Sequence, residues 1–471
     1  MNRTKRLGRD IILFALASFV PKIISFFLVP LYTSYVSTSA YGTFDLLNTV
    51  VSLILPILVL DISDSILVFT VQAKCNDKEK YLFYGNKILL IAAGISFIII
   101  SIVIAILGFD TVGFQGAYIW TQFVLMAFYN NLLAYLRGND LVNWIVIMSI
   151  VNSLITITAN VIFILGFNMG IFGLMMANTF GWLMSDLLIC IKIKPNTIFK
   201  YYEIPNQEKK EMLAYSCPLI IAGLSWWVIS SEDRLFVSVL LGTSVNGIYA
   251  VATKIPTILN ACHSVIYQAM QLSVFSEIES DDRASYLKRL YNIYSTCMLL
   301  ITSFLIMTDM FLSRFLYKKD YFIAWKYVPG LVIAIALFSI AGYITTIAAA
   351  NRDSKIITKA TLSGAILNTI LNAVLIHAIG LTGAVVATMV SYFVVWLIIT
   401  CNTNRTMELE LSIGRIIISV LYLCIQWWLL LKFNGNILIQ LVMFIGFIGI
   451  HFNVLMGIFS KTITVIVKRK N

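Results

Sequence analysis

Charge is what this chain of 471 residues has least of. Only 12% of its residues are Asp, Glu, Lys or Arg, against 59% hydrophobic residues and a mean hydropathy of +0.89. A soluble domain carries about 25% charged residues, so water is excluded as the solvent for most of this surface. Cysteine is sparse and scattered (Cys75, Cys190, Cys217, Cys262, Cys297, Cys401, Cys424), with no CxxC pair. This excludes a disulfide framework or a zinc site and leaves apolar packing. There are three histidines. His263 is placed to protonate near neutral pH, but a lone histidine in a helix is first of all a packing residue, and His377 and His451 carry less weight still. The chain also lacks a Walker-type phosphate loop, a nucleophile constellation and metal-ligand spacing. An ATP-driven pump with its own nucleotide-binding domain is excluded, no enzyme site is in view, and no cofactor or metal is expected.

What is present is a series of apolar runs of about 20 residues or more without strict alternation, the pattern of membrane-spanning helices and not of a barrel. Fourteen spans are expected, at roughly 11–33, 45–70, 87–107, 114–136, 142–166, 169–191, 214–241, 247–275, 291–316, 326–350, 356–379, 381–401, 413–432 and 437–460. The first is a retained helix behind a basic head of Arg3, Lys5, Arg6 and Arg9, too long for a cleaved signal. With both termini in the cytoplasm, 26 of the 34 Lys and Arg fall in inner segments, five in outer ones (Arg314, Lys318, Lys319, Lys326, Lys432) and three inside spans (Lys22, Arg234, Lys254). This is the positive-inside distribution. The net charge of +11 is thus a signal of topology, and nucleic acid is not an expected partner. The expected location is a bacterial cytoplasmic (inner) membrane.

The chain is internally doubled. Gly170-Ile-Phe-Gly173-Leu-Met-Met-Ala177 returns as Gly380-Leu-Thr-Gly383-Ala-Val-Val-Ala387, and six spans separate the copies. Tyr41-Gly42-Thr43-Phe44 corresponds to Asn246-Gly247-Ile248-Tyr249, Asp140 to Asp353, and Asn160 to Asn372. An even number of spans per copy makes a parallel repeat. The expected fold is an all-α integral membrane protein: a six-helix lobe at 1–191, a polar cytoplasmic linker at 192–212, a second six-helix lobe at 213–402, and two appended helices with a basic tail at 403–471. Pro21, Pro30, Pro56, Pro218 and Pro256 all lie in the first two spans of a lobe, which predicts that these helices are kinked. The glycine motifs are expected to let the sixth and twelfth helices pack closely.

Ionisable groups at bilayer depth are costly, and each is a functional hypothesis. Lys22 lies in span one. Asp61 and Asp64 lie in span two, three residues apart on one helical face. Glu232, Asp233 and Arg234 interrupt span seven, and Lys254 lies in span eight. Asp45 sits at the outer mouth of span two. Asp186 and Asp309 lie near span ends and are read as interfacial and solvated. One reading is a polar cavity between the lobes in which Lys22, Arg234 and Lys254 hold an anionic substrate while Asp61, Asp64, Glu232 and Asp233 pair with them or bind a coupling ion. The other is that Lys22 pairs with Asp61 or Asp64, and Arg234 with Glu232 or a neighbour, only to lower burial cost. The pairs Trp226-Trp227 and Trp427-Trp428, with Tyr32, Tyr35, Tyr41, Trp120 and Trp325, fit interfacial anchoring. Stacking of a sugar on Trp226 or Trp227 is the alternative.

The segments Ser18-Phe-Val-Pro-Lys-Ile-Ile-Ser-Phe-Phe-Leu-Val-Pro-Leu-Tyr-Thr33 and Ala40-Tyr-Gly-Thr-Phe-Asp-Leu46 resemble the opening of polysaccharide flippases of the multidrug/oligosaccharidyl-lipid/polysaccharide exporter superfamily. Trp226-Trp-Val-Ile-Ser-Ser-Glu-Asp-Arg234 with Asn246-Gly-Ile-Tyr-Ala250 is similar to the start of that family's second lobe. The resemblance implies two six-helix bundles around a central cavity and an undecaprenyl-pyrophosphate-linked oligosaccharide as cargo. The cargo would move from the inner to the outer leaflet for O-antigen or capsule assembly, by ion-coupled alternating access. Lys22, Arg234 and Lys254 stand where such flippases carry basic cavity residues. Membrane lipids and a polysaccharide polymerase complex are the further partners implied. Two rivals remain: a multidrug cation antiporter of the same superfamily, which Asp61, Asp64 and Glu232 keep open, and a membrane O-antigen polymerase, against which the short outer loops argue.

Overall fold

A computed structural model describes residues 19, 21–73, 77–194, 198, 200–277, 282–351, 353–452, 454 and 456. Arg3, Lys5, Arg6, Arg9, Cys75, Arg352, the first part of the opening span and the basic tail lie outside these residues. Among the described residues every regular element is helical, as lipid requires of a backbone that must satisfy its own hydrogen bonds. Ten of these helices are long and apolar enough to cross a membrane, and two shorter ones, Ile62–Gln72 and Ile437–Ile450, are apolar. The chain is therefore an all-helical, multi-pass membrane protein. These ten are a count of the described residues, which leave out most of the first of the fourteen expected spans.

The chain forms two compact units, one ending at Gly247 and one beginning at Ile248. In the first unit, α1 (Val29–Tyr35) is followed by α2 (Thr38–Leu58), α3 (Ile62–Gln72), α4 (Lys78–Leu107), α5 (Phe109–Gly138), α6 (Val142–Asn160), a π turn (Val161–Gly166), α7 (Gly170–Ile193) and α8 (Asn206–Leu241). Ser37 caps α2 by accepting from the Ala40 N–H at 3.3 Å. The second expected span is broken. Pro56 cannot donate within α2, and Leu60 and Asp61 then adopt left-handed backbone (φ 55° and 51°), so α3 starts anew at Ile62. Pro218, by contrast, sits within a continuous α8. That helix already starts at Asn206, so the last part of the expected linker is helical, and the buried Met212 carbonyl accepts from Ser65 Oγ of α3 at 2.6 Å. Ile62, Ile66, Leu82, Phe123, Leu132 and Leu136 form a fully buried interior, while Leu90, Ile106 and Phe109 are more than 70% exposed on the outside, where lipid is the solvent.

The helix α9 (Thr243–Ala252) runs into the second unit, which continues as α10 (Pro256–Glu277), α11 (Arg283–Leu316), a 3-10 turn (Lys319–Lys326), α12 (Val328–Ala350), α13 (Ser354–Ile379), α14 (Leu381–Met407), α15 (Ile413–Lys432) and α16 (Ile437–Ile450). Pro256 opens α10, a position that tolerates its missing N–H, so it starts a helix where a kink was expected. The most enclosed helix is α12, which packs against α10, α11, α13, α14 and α15. Helix α15 is tied to α11 by polar bonds. Arg415 Nη2 donates to Asn292 Oδ1 and Ser295 Oγ, both at 2.9 Å, and Ser303 Oγ donates to Gln426 Oε1 at 2.8 Å.

The repeated glycine motif sits at the same place in each unit. Helices in lipid gain little from apolar burial and rely on close van der Waals packing. A Cβ on Gly173 would lie 3.2 Å from the Phe163 carbonyl, and one on Gly383 would lie 2.2 Å from the Leu375 oxygen. The glycine thus lets α7 close onto the end of the α6 segment, and α14 onto α13, as two equivalent hairpins.

Candidate functional site

A polar junction of the first unit joins the start of α2 to the end of α8 and the start of α9. Asp45, on the second turn of α2, accepts from two directions: Arg234 Nη1 reaches Oδ1 at 3.2 Å, and Asn246 Nδ2 reaches Oδ2 at 3.4 Å. Asn246 Nδ2 also donates to the Gly42 carbonyl at 2.9 Å. The Arg234 and Asp45 side chains are 28% and 12% exposed, so the pair is largely out of solvent, where such attraction is strong and loss of one partner is costly. Thr38 and Ser244 share a hydrogen bond of 2.6 Å, and Ser39 and Thr243 one of 3.0 Å. Seven residues further along α2 from Asp45, Ser52 Oγ accepts from Trp227 Nε1 at 2.9 Å.

This junction is symmetric in sequence. Thr38-Ser39 and Gly42 recur as Thr243-Ser244 and Gly247, and each Thr of one copy bonds the Ser of the other. The two glycines make the approach possible. A Cβ on Gly42 would stand 1.8 Å from the Thr243 oxygen, and a Cβ on Gly247 would stand 2.0 Å from the Thr38 oxygen. The two copies of the repeated Gly-containing turn therefore clasp one another backbone to backbone, with the ion pair on its flank.

Of the residues singled out from sequence, Arg234 is thus placed in an ion pair, with Asp45. On the same helix Asp233 is 2% exposed and Glu232 half-buried. Lys22 is half-buried in the helical stretch 21–27 that precedes α1. Asp61 occupies the left-handed break between α2 and α3, half-buried. Asp64, one turn on, is exposed, with the Arg137 guanidinium as an electrostatic neighbour. Lys254, in the second unit, is half-buried in the break between α9 and α10, where its N–H donates to the Val251 carbonyl at 3.0 Å and its own carbonyl accepts from Thr257 Oγ1 at 2.5 Å. Broken helices of this kind carry the irregular backbone that transporters place around cargo and ions.

Three expectations are corrected. Asp186 and Asp309 are not interfacial: they are 3% and 0% exposed. Nearness to a span end fixes depth along the helix but not the face, and both acids point into their bundles. Trp227 is a tether between α8 and α2, not an interfacial anchor, and Trp427, 9% exposed, donates to the Lys326 carbonyl at 3.0 Å. Trp428 does fit anchoring, exposed beneath Lys432 at 4.7 Å. Among the described residues no group of three or more His, Cys, Asp or Glu is arranged to hold a metal ion. The clasp residues Thr38, Ser39, Thr243 and Ser244 were missed. Their signal was available in the 205-residue repeat already visible at Gly42 and Gly247.

This architecture recurs in solved structures. The lipid II flippase MurJ in an inward closed conformation superposes with a TM-score of 0.70 at 16% identity, over 96% of this chain and all of that one. A multidrug resistance MATE family transporter of the MOP superfamily, in its inward-facing conformation, gives 0.65 at 12% identity over 84% and 99%. A MOP superfamily transporter from Pyrococcus furiosus, whose binding pocket is described as of reverse polarity, gives 0.63 at 12% identity over 87% and 98%. At such identities these establish the fold, which this chain shares with a flippase and with transporters. No curated protein sequence matches the chain. The sequence profile described as "Polysaccharide biosynthesis protein" matches residues 7–279. That is more than half of the chain, which therefore belongs to the polysaccharide biosynthesis protein family.

Proposed function

We propose that the protein is a flippase that moves undecaprenyl-pyrophosphate-linked oligosaccharide repeat units from the inner to the outer leaflet of a bacterial cytoplasmic membrane, for O-antigen or a related surface polysaccharide. Family membership supplies the process, and the likeness to a lipid II flippase supports a lipid-linked cargo. The observation that carries the reading to this chain is the Arg234–Asp45 pair on the flank of the glycine clasp. An embedded guanidinium paired with a carboxylate is suited to exchange that partner for a pyrophosphate when the clasp opens, which offsets the cost of taking the anion through a low-dielectric region. Lys22 and Lys254 serve the same anion. Asp61, Asp64, Glu232 and Asp233 pair with these cations or carry a coupling ion.

In this mechanism the clasp is the closed gate of one side in an alternating-access cycle. The lobes that rock are 1–191 and 213–402, joined through 192–212, with 403–471 appended. Both termini are cytoplasmic, and a polysaccharide polymerase complex receives the product. Mass spectrometry of the lipids that accumulate when the protein is lost tests the cargo. Undecaprenyl-pyrophosphate oligosaccharide should accumulate, and an unchanged lipid profile contradicts the reading. A multidrug cation antiporter is the second reading, favoured by the shared MATE fold and by the number of embedded acids. Cells expressing the chain would then resist cationic drugs.

A further inference from the structure

Asp186 lies on α7, 3% exposed, and neither of its carboxylate oxygens has a hydrogen-bond partner among the described residues. Its surroundings are committed elsewhere. Asn152 Nδ2 of α6 donates to the Gly181 carbonyl at 3.2 Å and to Ser185 Oγ at 2.9 Å, and Ser185 Oγ donates to the Gly181 carbonyl at 2.8 Å. Tyr129 of α5 packs its ring edge-on against Trp182 at 4.9 Å. Helix α7 packs against α2, α5, α6 and the π turn. The titratable groups near Asp186 are Tyr129 from α5 and Cys190 from the next turn of α7. Helix α6 and the π turn have no titratable residue. The titratable residues of α2, Tyr41 and Asp45, lie beyond the Asn178–Asn48 hydrogen bond of 3.2 Å, toward the opposite end of α7. No cation forms an ion pair with Asp186 among the described residues.

A lone carboxylate enclosed in this way cannot remain charged without a large desolvation cost. One proton removes that cost. A sodium ion would need several oxygen ligands, but Ser185 is already bonded as donor and acceptor, and Asn152 has turned its amide to Gly181 and Ser185. We propose that Asp186 is a proton-binding site in the interior of the first unit, loaded and unloaded through the nearby end of α7. That end is seven residues away, about 10 Å of helix rise, and carries the exposed Lys192 and Lys194. Resting on the flippase reading, this proton is the coupling ion.

The test has two arms. In the purified full chain at neutral pH, the infrared C=O stretch of a protonated carboxylic acid should contain a component that disappears in Asp186→Asn and shifts in Asp186→Glu. Sodium should not abolish it. Identical spectra for wild type and both variants, or loss of the band on adding sodium, overturn the site. The Asp186→Glu comparison keeps this arm informative if Asp186→Asn does not fold. In vesicles bearing the chain and undecaprenyl-pyrophosphate oligosaccharide, an imposed proton gradient should speed translocation by wild type, and the ratio of rates with and without the gradient should fall to 1 in Asp186→Asn. An unchanged ratio overturns the coupling role. If wild type moves no such lipid, the flippase reading fails, while the infrared arm still reports on Asp186.

Discussion

Gly42 and Gly247 occupy equivalent places on two sides of one contact: each leaves room for the backbone that precedes the other, with 1.8 Å and 2.0 Å separating their absent Cβ atoms from the Thr243 and Thr38 oxygens. A repeat visible in sequence is therefore also a pair of mutually packed surfaces. The contact involves backbone, which cannot rotate away as a side chain can, so it is intolerant of any added atom.

Gly42→Val should separate α2 from α8 and α9. Overpacking of a tight interior costs about 1–3 kcal/mol, and a clash with a backbone oxygen lies at the upper end. Thermal unfolding of the purified variant should show the loss. Gly94, with nothing within 4 Å of its Cβ position, serves as the control, and Gly94→Ala should leave the unfolding temperature near that of wild type.

The 2.6 Å separation of Thr38 Oγ1 and Ser244 Oγ brings cysteine sulfurs at these positions within bonding reach. Thr38→Cys with Ser244→Cys should cross-link on mild oxidation and stop polysaccharide display if the clasp must open during transport. Reduction should restore display. Cross-linking without any effect on display would show that the clasp stays shut throughout the cycle.

Arg234 and Asp45 should be coupled energetically. Removing either alone takes away the other's ion-pair partner at 3.2 Å, whereas removing both leaves neither charge. A double-mutant cycle of Arg234→Ala and Asp45→Ala should return a coupling of roughly 1–3 kcal/mol in stability. Arg234→Ala should also abolish polysaccharide display with the protein still in the membrane.

Lys254 lies in a helix break and not in a packed helical turn, so Lys254→Ala should leave the fold intact and act on transport alone. Protein abundance and unfolding temperature should match wild type while surface polysaccharide falls at least tenfold. Lys22→Ala is expected to behave alike. Normal display from the Lys22, Arg234 and Lys254 triple alanine variant would remove the anion-binding role altogether.

The helical class, the doubling and the family were legible in the sequence because they rest on properties summed over many residues: apolar run length, charge by segment, and repeated glycines. The site was legible only in part. Arg234 and Lys254 could be picked out as charges at depth, but Asp45, the partner of Arg234, lies 189 positions away and no local pattern links them. The break at Leu60-Asp61 is a matter of backbone torsion, to which hydropathy is blind, so one long apolar run read as one span. Pro56 pointed to the region but could not say whether the helix would bend or stop. Asp186 and Asp309 show the same limit: their distance from a span end was clear, whereas their inward orientation depends on neighbours from other helices.

The proposed role is carriage of a lipid-linked oligosaccharide across a bilayer. Its most direct measurement is the fraction of undecaprenyl-pyrophosphate oligosaccharide accessible to an external glycosidase in vesicles, with and without the purified full chain. With the chain present, lipid sequestered in the inner leaflet should become accessible, and Arg234→Ala should suppress this. Accessibility equal to that of protein-free vesicles, with the chain folded and inserted, would contradict it.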